Sequence, residues 1–336
     1  MMLLEKIIFS LLFKWKYLIA VLHSKFLKKH KNSIFSSITY VAREADKDWI
    51  FGAKVRRLAK FSGLHSNTYF HNRLRDLPDS DGYFFVFHQY FYRAMRHNPK
   101  ILNKKNIVMF THPNWTFSFS ESHVIWCLNK ADKVICLNSK VQKELTAAGL
   151  NAHKTALIHI ASDPNFFYAH ERKTGAVGFC SAFGERKNPE MVYQLVKNMP
   201  ERKFYLIGRY WEKYEKYEEM KKMTNFIYYN NEPYETYPDL YTKIDIFISP
   251  STLEGGPVPV LEAMLSNCFP IASKTGFCPD VISDGYNGFL FDVDADHHEV
   301  MRLIKLADKK TIDVRKTALE HSWENCSKKI DRLFQE

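Results

Sequence analysis

Apolar side chains recur at Leu3, Leu4, Ile7, Ile8, Leu11, Leu12, Trp15, Leu18, Ile19, Leu22 and Phe26. That is helical spacing, sustained for about six turns. Lys6, Ser10, Lys14, Ser24, Lys25, Lys28 and Lys29 lie mainly off the stripe. Residues 1–32 therefore predict a basic amphipathic helix lying in a membrane interface, with packing against its own domain as the plainer alternative. Polar interruptions leave its longest apolar run below the roughly 18–20 residues that a span needs. No small-residue cleavage site follows that would make it a signal peptide.

Beyond Ser33 the pattern alternates between two periods. Ser37–Val41, Tyr83–Phe87, Asn106–Phe110, Lys133–Leu137 and Thr155–Ile160 read as strands, several of them near-continuous apolar runs. Such runs suit parallel strands covered on both faces. Trp49–Phe61 and the stretch from Ser139 to Gly149 read as helices. The polar, proline-bearing stretch Asp163–Thr174 marks a boundary. After it come strand candidates at Ala176–Ser181, Lys203–Ile207, Phe226–Tyr229, Asp245–Ser249 and Phe269–Ser273, with helices at Pro189–Asn198 and Val258–Ser266. Strands alternating with helices in both halves predict two doubly wound, Rossmann-like α/β domains facing across a cleft. The expected division is an interfacial helix over 1–32, a first α/β domain over 33–165 and a linker over 166–175. A second α/β domain over 176–320 follows, then a helix over 321–336 that returns toward the first domain.

Length supports this division, since 336 residues suit two domains of about 150 each. Charge separates them further. The net charge of +11 comes from the front of the chain, where residues 1–130 hold 21 Lys/Arg against 8 Asp/Glu and the remainder 27 against 29. A basic front half fits an anionic membrane surface or a nucleic acid. The six cysteines show no C-x-x-C pair and no zinc spacing, and most sit in apolar runs. They read as buried thiols of a reducing compartment, which places the protein in the cytoplasm on the inner face of a membrane.

The densest chemistry lies in Ile246-Phe-Ile-Ser-Pro-Ser-Thr-Leu-Glu-Gly-Gly-Pro-Val-Pro-Val-Leu-Glu-Ala-Met264. A buried strand runs into a tight loop and then into a helix opened by two prolines. Gly255 and Gly256 allow a ligand to approach bare backbone, and amides at a helix start attract anions. Glu254 in the loop and Glu262 in the helix are poor partners for phosphate but good acceptors from sugar hydroxyls. Such a site wants a polyol and a phosphate together.

With seven residues between them, Glu254 and Glu262 resemble the Glu-x7-Glu motif of glycosyltransferase family 4, a retaining family of GT-B fold. The similarity runs through Asp245–Ser251, Glu262–Met264, Phe269–Ser273 and Pro279–Gly288, and upstream through Ala131–Ser139 to Gly149. By that resemblance Glu262 holds the nucleotide ribose. Glu254 faces the donor sugar, and the backbone at Gly255, Gly256 and Pro257 contacts its hydroxyls or the diphosphate. Arg186 and Lys187, in Ser181-Ala-Phe-Gly-Glu-Arg-Lys-Asn-Pro189, neutralise the diphosphate. The family arginine sits nearer the strand end, where this chain has Ala182, and Arg186 substitutes for it. Gly208 resembles the glycine beside the base pocket. His112, after Asn106–Phe110, matches a histidine that contacts the donor sugar near the reacting carbon, and His88 is a candidate on the acceptor side.

The expected reaction is transfer of a hexose from a nucleotide diphosphate sugar, UDP rather than GDP, with retention. The catalytic residues are His112, Glu254 and Lys187, and a glycan or lipid-linked acceptor of surface polysaccharide is expected, with an anionic membrane as partner. No cofactor or essential metal is expected: Asp292-Val-Asp-Ala-Asp296 resembles a metal-binding D-x-D but reads as a helix start. The alternatives are a sugar-nucleotide epimerase of the same fold, for which no matching first-domain motif is found, and a membrane-bound sugar-nucleotide-binding scaffold without activity. A nucleic-acid binder lacks a recognisable motif in the basic half.

Overall fold

The computed structural model describes residues 37–48, 50–72, 74, 76–111 and 120–336. The amphipathic segment 1–32 and His112 lie outside these residues. No helix among those described is long and apolar enough to cross a membrane.

The chain divides into two compact lobes, one of residues up to Ile158 together with Trp323–Glu336, the other His159–Ser322. In the first lobe β1 (Ser37–Ala42), α1 (Ile50–Phe61), β2 (His65–Phe70), β3 (Gly82–Phe85), α2 (His88–His97), β4 (Lys105–Phe110), α3 (Glu121–Leu128), β5 (Lys133–Cys136), α4 (Ser139–Ala147) and β6 (Thr155–Leu157) follow in order. The strands form one parallel sheet in the order β2-β1-β3-β4-β5-β6. Its middle is fully buried at Tyr40, Val41, Phe84, Phe85, Val108, Phe110 and Ile135, as expected of strands covered on both faces. Polar β2 is an edge strand with exposed positions, which is why no apolar run announces it.

The second lobe contains β7 (Val177–Ala182), α5 (Pro189–Asn198), β8 (Phe204–Arg209), α6 (Tyr217–Met220), β9 (Phe226–Asn230), α7 (Tyr237–Tyr241), β10 (Ile246–Ser249), α8 (Val258–Leu265), β11 (Phe269–Ser273), α9 (Cys278–Val281), β12 (Phe289–Phe291), α10 (His297–Ala307) and α11 (Val314–Ala318). Its parallel sheet runs β12-β11-β10-β7-β8-β9. Read from β9, this is the Rossmann order, with its reversal between β7 and β10. In such sheets the crevice beyond the carboxyl ends of the two strands at the reversal binds ligands.

The final helix, α12 (Trp323–Gln335), belongs to the first lobe. Ser327 Oγ donates to the Leu58 carbonyl at 2.8 Å, and Asp331 accepts from Ser62 Oγ at 2.8 Å and Gly63 N at 2.7 Å. The lobes part between Ile158 and His159, earlier than the boundary of 165 and linker of 166–175 expected from polarity. The cause is local pinning. Ser162 N donates to the His321 carbonyl at 3.0 Å, and Arg315 donates to the carbonyls of Phe167 at 2.7 Å and Pro164 at 2.6 Å. The polar segment is thereby part of the second lobe.

Candidate functional site

The site is built from two loops at the carboxyl ends of β7 and β10. After β7 the chain makes a tight turn over Glu185–Lys187, and Asn188, at φ 53°, caps α5 by accepting from Met191 N at 3.2 Å. After β10 the chain runs through Ser251 and Glu254 to Pro257 and enters α8. The loops are stitched together by Thr252 N donating to the Arg186 carbonyl at 2.7 Å and by Arg186 Nη1 donating to the Leu253 carbonyl at 3.0 Å. Ser273 Oγ, at the end of β11, donates to the Ser251 carbonyl at 2.5 Å and fixes the floor.

This framework brings Arg186, Lys187 and Glu254 together. Lys187 Nζ is ion-paired with Glu254 Oε1, and Arg186 Nη1 lies 2.9 Å from the same oxygen. Burial pushes the Glu254 carboxyl up, but the charges of Lys187 and Arg186 outweigh it and hold the group below its ordinary value. Glycines close the loop. A Cβ on Gly256 would stand 2.9 Å from the Phe277 ring, and one on Gly276, where φ is +54°, would stand 3.0 Å from Glu254 Cβ. The turn through Gly276 thus holds the acidic loop from behind.

Glu262 sits inside α8 and is buried. Its Oε1 accepts from Tyr234 Oη at 2.7 Å and its Oε2 from Tyr241 Oη at 3.1 Å. A carboxylate has about four lone-pair sites, and the two tyrosines hold one on each oxygen. Cys180 lies near the end of β7. Burial first and then the Glu262 charge push its thiol up to about 12, while Tyr241 and Lys187 oppose them. All six cysteines are free thiols, five of them buried.

Tyr234 and Tyr241 carry no sequence signal for this role. Tyr241 is a buried helical residue, and Tyr234 belongs to a short turn and stacks on Phe166, with centroids 5.2 Å apart. Gly208 is the penultimate residue of β8, beside β7, where a Cβ would meet the Ser181 carbonyl oxygen at 1.9 Å. His88 opens α2 in the first lobe, its ring 4.9 Å from that of Phe110 and 4.5 Å from that of Phe87. Asp296 caps α10 by accepting from Glu299 N at 2.9 Å, and Asp292 pairs with Lys274 at 2.8 Å. The acidic run is therefore occupied by a helix cap and a surface ion pair. A hollow of about 1270 Å³ lies at the opposite ends of β7, β8 and β10, beside Thr174, Lys203 and Asp245, and contains none of these candidates.

The second lobe thus has Rossmann order, with two cations and two carboxylates beside its sheet reversal. Residues 163–320 match the family model of glycosyl transferases group 1. An uncharacterized glycosyltransferase of Methanocaldococcus jannaschii is 21% identical over 221 residues, which cover 63% of this chain and 61% of that protein. The alignment thus spans less than two thirds of the curated relative. Among solved structures, HepE of Anabaena in complex with UDP is similar with a TM-score of 0.74 at 13% identity, over 90% of this chain and 100% of that one. The lipopolysaccharide outer core galactosyltransferase WaaB, in its apo form, is similar with a TM-score of 0.69 at 15% identity, over 89% and 99%. The fold is that of the GT-B glycosyltransferases, and the second lobe is similar to the group 1 glycosyl transferases over residues 163–320.

Proposed function

We propose that the protein is a retaining glycosyltransferase of family 4 type that moves a hexose from a UDP-sugar to a lipid-linked or surface-polysaccharide acceptor. The observation that carries the reading is the convergence of Lys187, Arg186 and Glu254 at the β7/β10 reversal. Two cations beside a carboxylate suit a diphosphate joined to a polyol. UDP is favoured because HepE binds it. A surface-glycan acceptor is favoured by the likeness to WaaB and by the basic front of the chain.

In the proposed reaction the bond from the anomeric carbon to the leaving phosphate oxygen breaks and a bond to the acceptor oxygen forms on the same face. The acceptor proton passes to the departing phosphate. Lys187 and Arg186 absorb the negative charge that grows on the diphosphate, the task a divalent cation performs in metal-dependent transferases. We assign Glu254 and the backbone of Gly255, Gly256 and Pro257 to the donor sugar, Glu262 to the ribose and Gly208 to the base side. His112 is assigned to the sugar near its reacting carbon and His88 to the acceptor side. The amphipathic segment 1–32 would hold the enzyme peripherally on the cytoplasmic face.

The deciding experiment incubates the full chain with a panel of nucleotide sugars and native membrane lipids, then identifies products by mass spectrometry and their anomeric configuration by NMR. A lipid or glycan product of retained configuration is expected. Absence of saturable binding to any nucleotide sugar would end the reading, and an inverted product would remove retention alone. Deleting residues 1–30 should release the protein from anionic liposomes, and continued binding would refute the interfacial helix.

A further inference from the structure

This inference rests on the donor-site reading above. The same oxygen of Glu254 is the counter-ion of both cations that a diphosphate requires. The Lys187–Glu254 pair is largely withdrawn from water, its side chains 18% and 8% exposed, whereas Arg186 is half solvated. Removing one member of a buried pair is costly because the other is left as an uncompensated charge. Glu254 cannot easily swing out to water either, since the Gly276 turn packs against its Cβ and Thr252 ties its loop to Arg186.

A diphosphate that draws Lys187 and Arg186 to itself therefore leaves a held, negative carboxylate next to its own negative charge. A donor that carries a sugar brings hydroxyl groups, which donate to that carboxylate. A nucleoside diphosphate alone brings only its ribose hydroxyls, which the reading above gives to Glu262 and not to Glu254. We propose that Glu254 discriminates the sugar-bearing donor from the nucleoside diphosphate product, by competing with the diphosphate for Lys187 and Arg186 unless sugar hydroxyls satisfy it. The product is thereby bound weakly once the sugar has left, and sugar and diphosphate each strengthen the binding of the other.

Isothermal titration of the full chain with UDP and with GDP provides the test, the tighter of the two being carried forward. Addition of saturating glucose, galactose or mannose should tighten its binding, by a factor on the order of 5–150 for a coupling of ordinary size. Glu254→Gln, which keeps the shape and removes the charge, should bind the nucleoside diphosphate alone about tenfold tighter than the unmodified protein, and the hexose effect should vanish. A folded Gln variant that binds no tighter overturns the proposal. Should that variant lose its cooperative thermal transition, the unmodified protein decides, and no coupling with any of the three hexoses overturns it. Lys187→Ala separates the two levels. If it binds the nucleoside diphosphate as the unmodified protein does, the diphosphate clamp and the donor-site reading fail. If it loses binding while Glu254→Gln gains none, only the discrimination by Glu254 fails.

Discussion

Gly208 and Ser181 are in such close contact across the β7–β8 pairing that a Cβ on Gly208 would lie 1.9 Å from the Ser181 carbonyl oxygen. The same oxygen accepts from the buried Trp211 indole at 2.9 Å. One backbone atom therefore fixes both the end of β8 and the turn that follows it. Gly208→Ala must push the strands apart, because the clash is with backbone and not with a flexible side chain. The cost should reach or exceed the ~1–3 kcal/mol of ordinary overpacking. A urea titration should show a lowered midpoint, and an unchanged one would mean that the strand end yields freely.

Glu262 separates a structural role from a binding role. Its carboxylate accepts from the buried Tyr241 and from Tyr234, so Glu262→Ala would leave the Tyr241 hydroxyl only the Pro259 carbonyl at 3.4 Å, at a cost of about 1 kcal/mol. Glu262→Gln keeps an acceptor for one tyrosine, and a rotated hydroxyl can accept from the amide. Thermal stability should therefore change little. Affinity for the nucleotide should fall tenfold to a hundredfold, as about 1.5–3 kcal/mol for hydrogen bonds to a charged group implies. Tyr234→Phe retains the stack on Phe166 and should alter affinity less than Glu262→Gln. Equal nucleotide affinity in the Gln variant and the unmodified protein would exclude the ribose contact.

The buried strands were legible because a parallel sheet covered on both faces demands uninterrupted apolar runs. Phe269–Ser273 and Pro189–Asn198 have the bounds that the pattern implies. β2 was not legible, since an edge strand with exposed positions carries no such run. The stretch Asp163–Thr174 misled for a related reason. Its polarity resembles a linker, yet Arg315, far along the chain, binds its Pro164 and Phe167 carbonyls into the second lobe. In the site, Arg186, Lys187 and Glu254 lie in loops that follow buried strands, and the resemblance of those loops to a known motif is what marks them. Tyr234 and Tyr241 reach Glu262 only through the packing of separate elements, which no local spacing encodes.

Asp245 gives the second lobe a pH dependence. Its Oδ2 accepts from Thr174 N at 2.5 Å, Gly175 N at 2.6 Å and Thr174 Oγ1 at 3.1 Å, and His170 Nε2 lies 3.5 Å from Oδ1. Burial pushes the carboxyl up, but the neighbouring His170 ring and the bonds from Gly175 and Thr174 outweigh it and hold the group below its usual value of 3.8. A depressed folded-state value stabilises the fold above the unfolded-state value, and that contribution is lost as pH falls through the folded one. Denaturation midpoints should therefore drop as pH falls below about 4. Asp245→Asn should lose about 1.5–3 kcal/mol at neutral pH and show a flatter acid limb. An identical acid limb in the variant would show that other groups govern the loss.

The last helix provides the sharpest test of the topology. Asp331 on α12 accepts from Ser62 Oγ at 2.8 Å and Gly63 N at 2.7 Å, just beyond the end of α1. Ser327 is fully buried and donates to the Leu58 carbonyl, while Ile330 and Phe334 fill the same face. Arg57 lies over the Trp323 ring at 5.4 Å, so the contact extends along the helix. Asp331→Ala removes a charged acceptor and leaves the Gly63 amide without it, a loss of about 1.5–3 kcal/mol. Truncation after Ser322 exposes Leu58 and the apolar floor beneath α12 at once. Hydrogen exchange followed by mass spectrometry should then show fast exchange in α1 and β1, while β7, β8 and β10 keep their protection. Uniform loss across both sheets would mean that the lobes unfold as one unit, and unchanged protection in α1 would mean that α12 contributes nothing to the first lobe.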